Sequence, residues 1–315
     1  MSLTTFFPSA GFGSRLKPLT DRVPKPAIPF LGQSALEINV RAVDAALNPS
    51  RHLANAHHLP EAIRAIARSL SADGGDGRRA PAVDVLFEPE ILGTGGCLAH
   101  AGPQLAATDH FLVHNADLIH DIDLAALYRA HVASGALATL AGVHRAGAVN
   151  TLSVDEQDAR HNLLGVHGFA GFAGDPHEFK RLTFTGIAFY RRDFLAFVPS
   201  GISDIKLWWN AARAGGGLIR VADVTGAAWH DFGTPQGLWE AMKFRMDSTG
   251  ATSFRYPAAP DDAGGPGPPR VSNEAGIGLP AGLRNVVVYE APRVPLEEGT
   301  TNLLTGLDFD WKVRP

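Results

Sequence analysis

The chain has 315 residues, 45% of them hydrophobic and 19% charged, which is enough apolar material for one large α/β domain or for a domain with an appendage. A formal net charge of −4 argues against a nucleic-acid partner, which calls for a basic face, but leaves room for a phosphorylated ligand held by a few local charges. The single cysteine, Cys97, excludes an intrachain disulfide. With no signal-peptide pattern and no apolar run near the ~20 residues of a membrane span, the expectation is a cytoplasmic protein without a membrane partner.

In chain order, Thr4 to Pro8 reads as a short buried strand running into the Gly-rich stretch Ala10 to Ser14. Ser34 with Glu37 three residues on predicts a capped helix over Ala35 to Leu47. Arg51 to Ala56 reads as a strand. Glu61 to Leu70 reads as an amphipathic helix with Ile63, Ile66, Ala67 and Leu70 on one face. A flexible loop at Asp73 to Gly77 precedes a strand at Val83 to Phe87, a short helix at Gly96 to Ala101 and an apolar strand at Phe111 to His114. Asp123 caps a helix reaching about His131, and Ala136 to Val143 is again a strand. This alternation predicts a doubly wound, mostly parallel sheet whose ligands bind beyond the carboxyl ends of its strands.

From Asn150 to Gly174 the pattern turns irregular and suggests hairpins. Strands at Leu182 to Tyr190 and Leu218 to Val221 flank a helix at Ile205 to Ala214, and Pro235 opens a helix over Thr234 to Met246. The Pro- and Gly-rich stretch near Pro257 to Pro269 reads as a linker, and the tail shows no helical period. The expected organisation is a domain over 1–249, a linker over 250–272 and a small β appendage over 273–315.

The segment Ala10 to Pro26 reads AGFGSRLKPLTDRVPKP. Gly11 and Gly13 let a backbone approach a ligand closely, Arg15 offers a fork for phosphate oxygens and Lys25 a point charge. Gly-x-Gly alone fits a tight turn equally well, since neither the third glycine of a dinucleotide fingerprint nor a P-loop Gly-Lys-Ser/Thr follows. The full string resembles the signature loop of the sugar-phosphate nucleotidyltransferases, G-x-G-x-R-x-x-P-x-T followed by P-K-P. Within that family it is most similar to bacterial N-acetylmuramic acid 1-phosphate uridylyltransferases and mannose-1-phosphate guanylyltransferases. The resemblance extends from about Leu3 to Met246 and implies the nucleotide-diphospho-sugar transferase type of sheet.

Several further segments carry the resemblance. EPEILGTGG at Glu88 to Gly96 looks like the family's second motif, and FLVHNADLIHDIDL at Phe111 to Leu124 like its strand ending in N-G-D, with Ala116 in place of the glycine. WHDFGTPQ at Trp229 to Gln236 resembles W-x-D-V-G-T-P, although its spacing alone fits a turn before a helix, and TFTGIAFY at Thr183 to Tyr190 resembles F-T-G-I.

The resemblance implies that Ala10, Gly11, Gly13, Ser14, Glu88, Gly95 and Asn115 bind the nucleotide, and that Asn150, Thr185 and Gly186 line the sugar pocket. It also implies that Arg15 and Lys25 neutralise the reacting phosphates and that Asp117 and Asp231 bind Mg²⁺, a hard cation suited to carboxylates and phosphates. Asp121 and Asp123 read as turn and cap residues. Many relatives hold the sugar phosphate with the lysine of a Glu-Lys-Pro segment. None occurs here, and Lys180, Arg181 and Lys206 are the basic residues available instead. His57 and His58 read as loop residues, because adjacent side chains point apart.

The implied reaction joins a nucleoside triphosphate and a sugar 1-phosphate into an NDP-sugar and pyrophosphate, with UTP and N-acetylmuramic acid 1-phosphate as the expected pair and homo-oligomerisation left open. The competing readings are a sugar-nucleotide sensor on the same fold, a cytidylyltransferase for a phosphorylated alcohol and, more distantly, a dinucleotide-dependent oxidoreductase.

Overall fold

The structure, a computed structural model, describes residues 1–72, 81–146, 151–155, 161–166, 180–198, 201–249, 271–273, 283–289, 296–297, 299–306 and 309–314. The chain forms two compact units, each gathered from separated stretches. The first takes Met1–Gly11, Asn39–Ala116 and His120–Trp229; the second takes Phe12–Ile38, Asp117–Ile119 and His230–Pro315.

The elements follow in chain order. They begin with β1 (Leu3–Phe7), α1 (Ala35–Leu47), β2 (Arg51–Ala56), α2 (Pro60–Ala72), β3 (Val83–Phe87), α3 (Gly93–Leu105) and β4 (His110–His114). Next come α4 (Leu124–Ser134), β5 (Ala138–Val143), β6 (Leu152–Val154), β7 (Leu163–Val166), β8 (Lys180–Arg191), α5 (Ile205–Ala214) and β9 (Ile219–Asp223). Helix α6 (Pro235–Thr249) and strands β10 (Val271–Asn273), β11 (Arg284–Val288), β12 (Thr301–Gly306) and β13 (Phe309–Lys312) follow.

The first unit is built on one sheet with the main order β3-β2-β1-β4-β8-β5-β9. Strands β3, β2, β1 and β4 pair in parallel, β8 runs against both β4 and β5, and β9 is again parallel to β5. All five residues of β1 are buried, as a central parallel strand covered on both faces requires. The long β8 continues past β5 to pair with β6, which pairs with β7 in the predicted hairpin style. The main core joins Phe6, Leu53, Leu98, Phe111, Tyr190 and Trp208. Strand order reverses at β1 and β4, so the loops after these two strands, Pro8 onward and Asn115 onward, stand at the switch point of the sheet.

The sequence predicted a doubly wound, mostly parallel sheet, and this is the architecture found. The expected short helix at Gly96 is the longer α3. Three glycines in its first turn hide it, because glycine weakens a helix by ~1 kcal/mol relative to alanine. Tertiary bonds hold that end instead: the N–H groups of Gly95 and Gly96 both donate to the Ser203 carbonyl, at 2.8 and 3.4 Å. Asp123 does cap α4, its Oδ1 accepting the Ala126 N–H at 2.8 Å. Asp121 Oδ1 accepts the Ala228 N–H at 2.7 Å, a turn role as expected.

In the second unit, the Ser34 hydroxyl accepts the Glu37 N–H at 3.2 Å while Glu37 accepts the Ser34 N–H at 3.3 Å, the reciprocal box read from the sequence. The tail does form a small sheet, β10-β11-β12-β13, parallel except for its last pair. Its strands alternate: Val287, Leu304 and Phe309 enter one apolar cluster, whereas Val286, Val288 and Leu303 enter another on the opposite side.

The first of these clusters also contains Leu16, Leu19, Ile28 and Phe30 of the Gly-rich loop region and Leu238, Trp239 and Met242 of α6. The tail belongs to the same compact unit as the loop, because alternate residues of its strands supply one wall of the loop's core. Residues 250–270 of the expected linker lie outside the described residues, and its last two residues, Val271 and Ser272, begin a strand.

Candidate active site

The loop after β1 is braced from within the first unit. The Ser9 N–H donates to Asn55 Oδ1 at 2.5 Å, and Asn55 Nδ2 donates to Glu88 Oε1 at 2.7 Å. Ser9, Asn55 and Glu88 are all buried, and the Glu88 N–H donates back to the Ala56 carbonyl at 2.9 Å. Glu88 was expected at the nucleotide; its carboxylate instead faces inward and fixes, through Asn55, where the loop leaves the sheet. Ala10 is buried and Gly11 exposed on that same exit. The Ala116 N–H donates to the Pro8 carbonyl at 3.4 Å and its methyl is fully buried, so alanine is accommodated where relatives carry glycine.

The charged part of the loop lies in the second unit. Gly13 takes a left-handed φ of 63°, and its carbonyl accepts the Leu16 N–H at 2.9 Å and the Thr20 hydroxyl at 3.0 Å. These bonds curl Ser14–Leu16 into a 3-10 turn that leaves Ser14 and Arg15 exposed and buries Leu16. Lys25, between buried Pro24 and Pro26, opens a second such turn.

The Lys25 ammonium contacts Asp117 Oδ2, stands 3.4 Å from Asp231 Oδ1 and lies 5.3 Å from the centre of the Phe232 ring. Its side chain is only 10% exposed, against 28% for Asp117 and 40% for Asp231. Asp231 Oδ1 also accepts the Gly233 N–H at 2.8 Å. A Cβ placed on Gly233 would come within 2.5 Å of Arg15 Nη2, so the Arg15 guanidinium packs directly on that backbone. The four charged residues read from the sequence, Arg15, Lys25, Asp117 and Asp231, thus come together around Gly233 and Phe232.

Two carboxylates on either side of one cation, each partly open to solvent, suit a hard divalent ion that takes its remaining oxygens from phosphate and water. Among the described residues no group of three or more His, Cys, Asp or Glu side chains gathers, so a closed all-protein cage is absent there. His57 Nδ1 lies 2.9 Å from the Glu88 carbonyl, a loop role, and His230 stacks on Phe244 with ring centroids 5.0 Å apart.

A cavity of about 300 Å³ opens in the first unit. Pro8 and Asn115 from the switch point, Thr94 and Leu98 of α3, Phe184 of β8, and Asp204, Lys206 and Trp209 at the start of α5 contribute to its walls. Asn115 is held there by its N–H, which donates to the Gly186 carbonyl at 2.9 Å. Gly186 has φ 85°, and a Cβ on it would lie 2.6 Å from Asn115 Nδ2; it shapes the pocket by making room for that amide.

Thr185, expected to line a sugar pocket, does not line this cavity. Neighbouring strand residues face opposite ways, and the Thr185 hydroxyl is buried, donating to the Ala141 carbonyl at 3.0 Å. At Gly95, expected at the nucleotide, a Cβ would sit 2.6 Å from Ser203 Oγ and 2.9 Å from Trp208 Nε1, so its bareness serves the packing of α3 on the 203–208 segment. Asn150 lies outside the described residues. Cys97 is buried, and burial together with nearby Glu88 pushes its thiol up to about 12, which keeps it inert.

Sequence reasoning missed Asn55, Thr20, Phe232 and Asp204. Asn55 carried a signal, a polar residue in a strand whose other members after Arg51 are also buried. The others carried none, because a threonine in a loop and a phenylalanine before a glycine read as ordinary.

The nucleotidyl transferase family matches residues 9–150, the stretch that includes the Gly-rich loop, Glu88, Asn115 and Asp117. Over that stretch the chain is similar to the nucleotidyl transferase family. It is 28% identical over 232 residues to the mannose-1-phosphate guanylyltransferase of Mycobacterium tuberculosis, covering 72% of this chain and 60% of that protein, so it spans less than two thirds of this relative's length. It is 25% identical over 238 residues to the N-acetylmuramate alpha-1-phosphate uridylyltransferase of Caulobacter vibrioides, covering 73% and 88%. The fold is that of the UDP-glucose pyrophosphorylase from Acinetobacter baumannii, with a TM-score of 0.62, 15% identity and coverage of 80% and 98%. Among the described residues, no helix is long and apolar enough to cross a membrane.

Proposed function

We propose that this chain joins a nucleoside triphosphate to a sugar 1-phosphate, releasing pyrophosphate, with UTP and N-acetylmuramic acid 1-phosphate or a related hexose 1-phosphate as the substrates to try first. The observation that carries the reading is the buried Lys25 ammonium seated between Asp117 and Asp231, with Arg15 against Gly233.

In the proposed reaction an oxygen of the sugar 1-phosphate attacks the α-phosphorus, the new P–O bond forms in line with the bond to the β-phosphate, and that bond breaks to free pyrophosphate. The nucleophile is already anionic, so no base is required. The barrier is the repulsion of two polyanions and the charge gathering at phosphorus, which fixed cations and backbone N–H groups lower. Lys25 and Arg15 supply fixed positive charge, and Gly11, Gly13 and Ser14 offer exposed or turned backbone to the phosphates. Asp117 and Asp231 would hold Mg²⁺, which supplies further charge neutralisation when bound. Asn55 and Glu88 keep the loop's exit in place, and Lys25, already enclosed, needs no reorganisation to act.

Pyrophosphate release from a panel of four triphosphates against several sugar 1-phosphates, with Mg²⁺, tests the proposal. One productive pair is the expected result. Silence across the panel would favour the sensor reading.

A further inference from the structure

The loop that carries Asp117 is closed by two histidines. His114 ends β4 and His120 ends the short strand Leu118–His120, each three residues from Asp117 in the chain. Their Nε2 atoms meet at 2.8 Å, with the ring centroids 5.0 Å apart. On the outer sides, His114 Nδ1 lies 2.9 Å from the Asn115 carbonyl oxygen, and His120 Nδ1 lies 3.0 Å from the Ile122 amide nitrogen.

These outer partners dictate where both protons sit. A carbonyl only accepts, so His114 Nδ1 carries its proton and donates. A backbone N–H only donates, so His120 Nδ1 is bare and accepts. Burial holds both rings neutral at neutral pH, lowering His114 to about 4 and His120 to about 3. A neutral ring has one proton, so His114 Nε2 is bare, His120 Nε2 is protonated, and the central bond is donated by His120 to His114. Every ring nitrogen is then satisfied, and the bonds run in a single direction from the Ile122 amide to the Asn115 carbonyl. The pair His110–His131 lacks this property: its contact at 3.1 Å continues to the Thr139 hydroxyl, which both donates and accepts.

The relay joins the start of the loop to its end, and the flanking backbone is also fixed. The Asn115 N–H donates to the Gly186 carbonyl at 2.9 Å, the Ala116 carbonyl accepts Asn39 Nδ2 at 3.4 Å, and the Asp121 N–H donates to the Ala228 carbonyl at 3.2 Å. We infer that His114 and His120 are positioning residues whose directed pair closes the Asn115–Asp121 loop and holds the Asp117 carboxylate where it receives a divalent cation. This inference rests on the proposed metal role of Asp117. Neither ring touches the metal or the substrate in this role. Partners that orient a metal-binding side chain are worth roughly 10–100-fold in affinity, and removing one ring leaves the other with an unpaired buried nitrogen.

Two measurements test the inference. Imidazole ¹⁵N NMR of wild type is expected to show His114 as the Nδ1–H tautomer and His120 as the Nε2–H tautomer. The same tautomer on both rings, or a charged ring at neutral pH, overturns the relay. Mn²⁺ titration followed by electron paramagnetic resonance then reads the positioning. His120→Phe keeps a ring without its nitrogens and is expected to weaken Mn²⁺ binding ~10-fold. His120→Gln, whose amide still donates toward His114, should recover most of that loss. If His120→Phe does not fold, His120→Asn, which can keep the Ile122 bond and loses the one to His114, carries the same expected weakening. Unchanged Mn²⁺ affinity in the folded variant overturns the positioning role. Wild-type Mn²⁺ affinity in Asp117→Asn instead refutes the metal role of Asp117 itself, so the two failures are separable.

Discussion

Lys25→Met removes one charge and keeps the stem of the side chain, and its effects on folding and on turnover should part company. Asp117 and Asp231 are 28% and 40% exposed, so water can solvate both once the ammonium is gone. By the measure of partly exposed ion pairs the folding cost is ~1 kcal/mol, or a Tm decrease of ~1–2 °C for a chain of this size. For turnover no such substitute exists, because the charge must already be in place where the phosphate builds up negative charge. Removing one preorganised group of this kind lowers kcat by ~10²–10³, or ~3–4 kcal/mol. Melting curves and pyrophosphate release on the same preparation measure both numbers. The Mg²⁺ concentration for half-maximal rate adds a directional check: with the competing ammonium gone from between the two carboxylates, it should fall. A folded Lys25→Met protein turning over within about fivefold of wild type would refute the reasoning, and so would a raised Mg²⁺ requirement.

Other consequences follow from separate parts of the structure. Gly186→Ala forces a side chain into φ 85° and against Asn115; it should cost ~1–3 kcal/mol in urea unfolding and raise the acceptor KM, whereas a neutral substitution would show that Asn115 is not held as described. Leu304→Ala, in the cluster shared by tail and loop, should cost ~2–5 kcal/mol and also lower kcat/KM; unchanged stability would detach the tail from that core.

A pH dependence also follows. Burial lowers His114 from 6.5 to about 4 and His131 from 6.5 to about 3, so both are neutral in the folded protein. The unfolded chain takes up protons first as pH falls below 6.5. Stability is therefore full above that value and is lost down to about pH 4 for His114 and pH 3 for His131. At pH 5 each should account for ~2 kcal/mol, which urea unfolding at pH 7.5 and pH 5 would show as a lower midpoint with an unchanged slope. A flat profile would contradict the burial of both rings.

The parallel sheet and most helix ends were legible because local signals and tertiary context agreed: the Ser34–Glu37 box, the Asp123 cap and the apolar strands all read true. The helix at Gly93–Leu105 was under-read because its glycines disfavour a helix in isolation, and the Ser203 carbonyl, far along the chain, holds them. The charged residues were legible as a set through family resemblance, not through spacing, since Lys25, Asp117 and Asp231 are far apart in the chain and meet only in the fold. Strand phase explains why Thr185 does not line the first-unit cavity: a motif names a segment, and the structure tells which alternate side chain faces inward. Lys206 was one basic residue among three in the sequence, and the fold sets it on the wall of the first-unit cavity.

The core shared by the Gly-rich loop and the tail has a bearing on how the protein is made. Leu16, Leu19, Ile28 and Phe30 leave the ribosome long before Val287, Leu304 and Phe309 of the same cluster, with the whole intervening chain synthesised between them. Closing so long a span is slow relative to local folding. The first sheet can assemble while the phosphate-handling loop still lacks one wall, so a nascent or clipped chain would own a folded scaffold and no organised charge cluster. Competence to handle a triphosphate would then arrive as a late event, set by the last strands to dock.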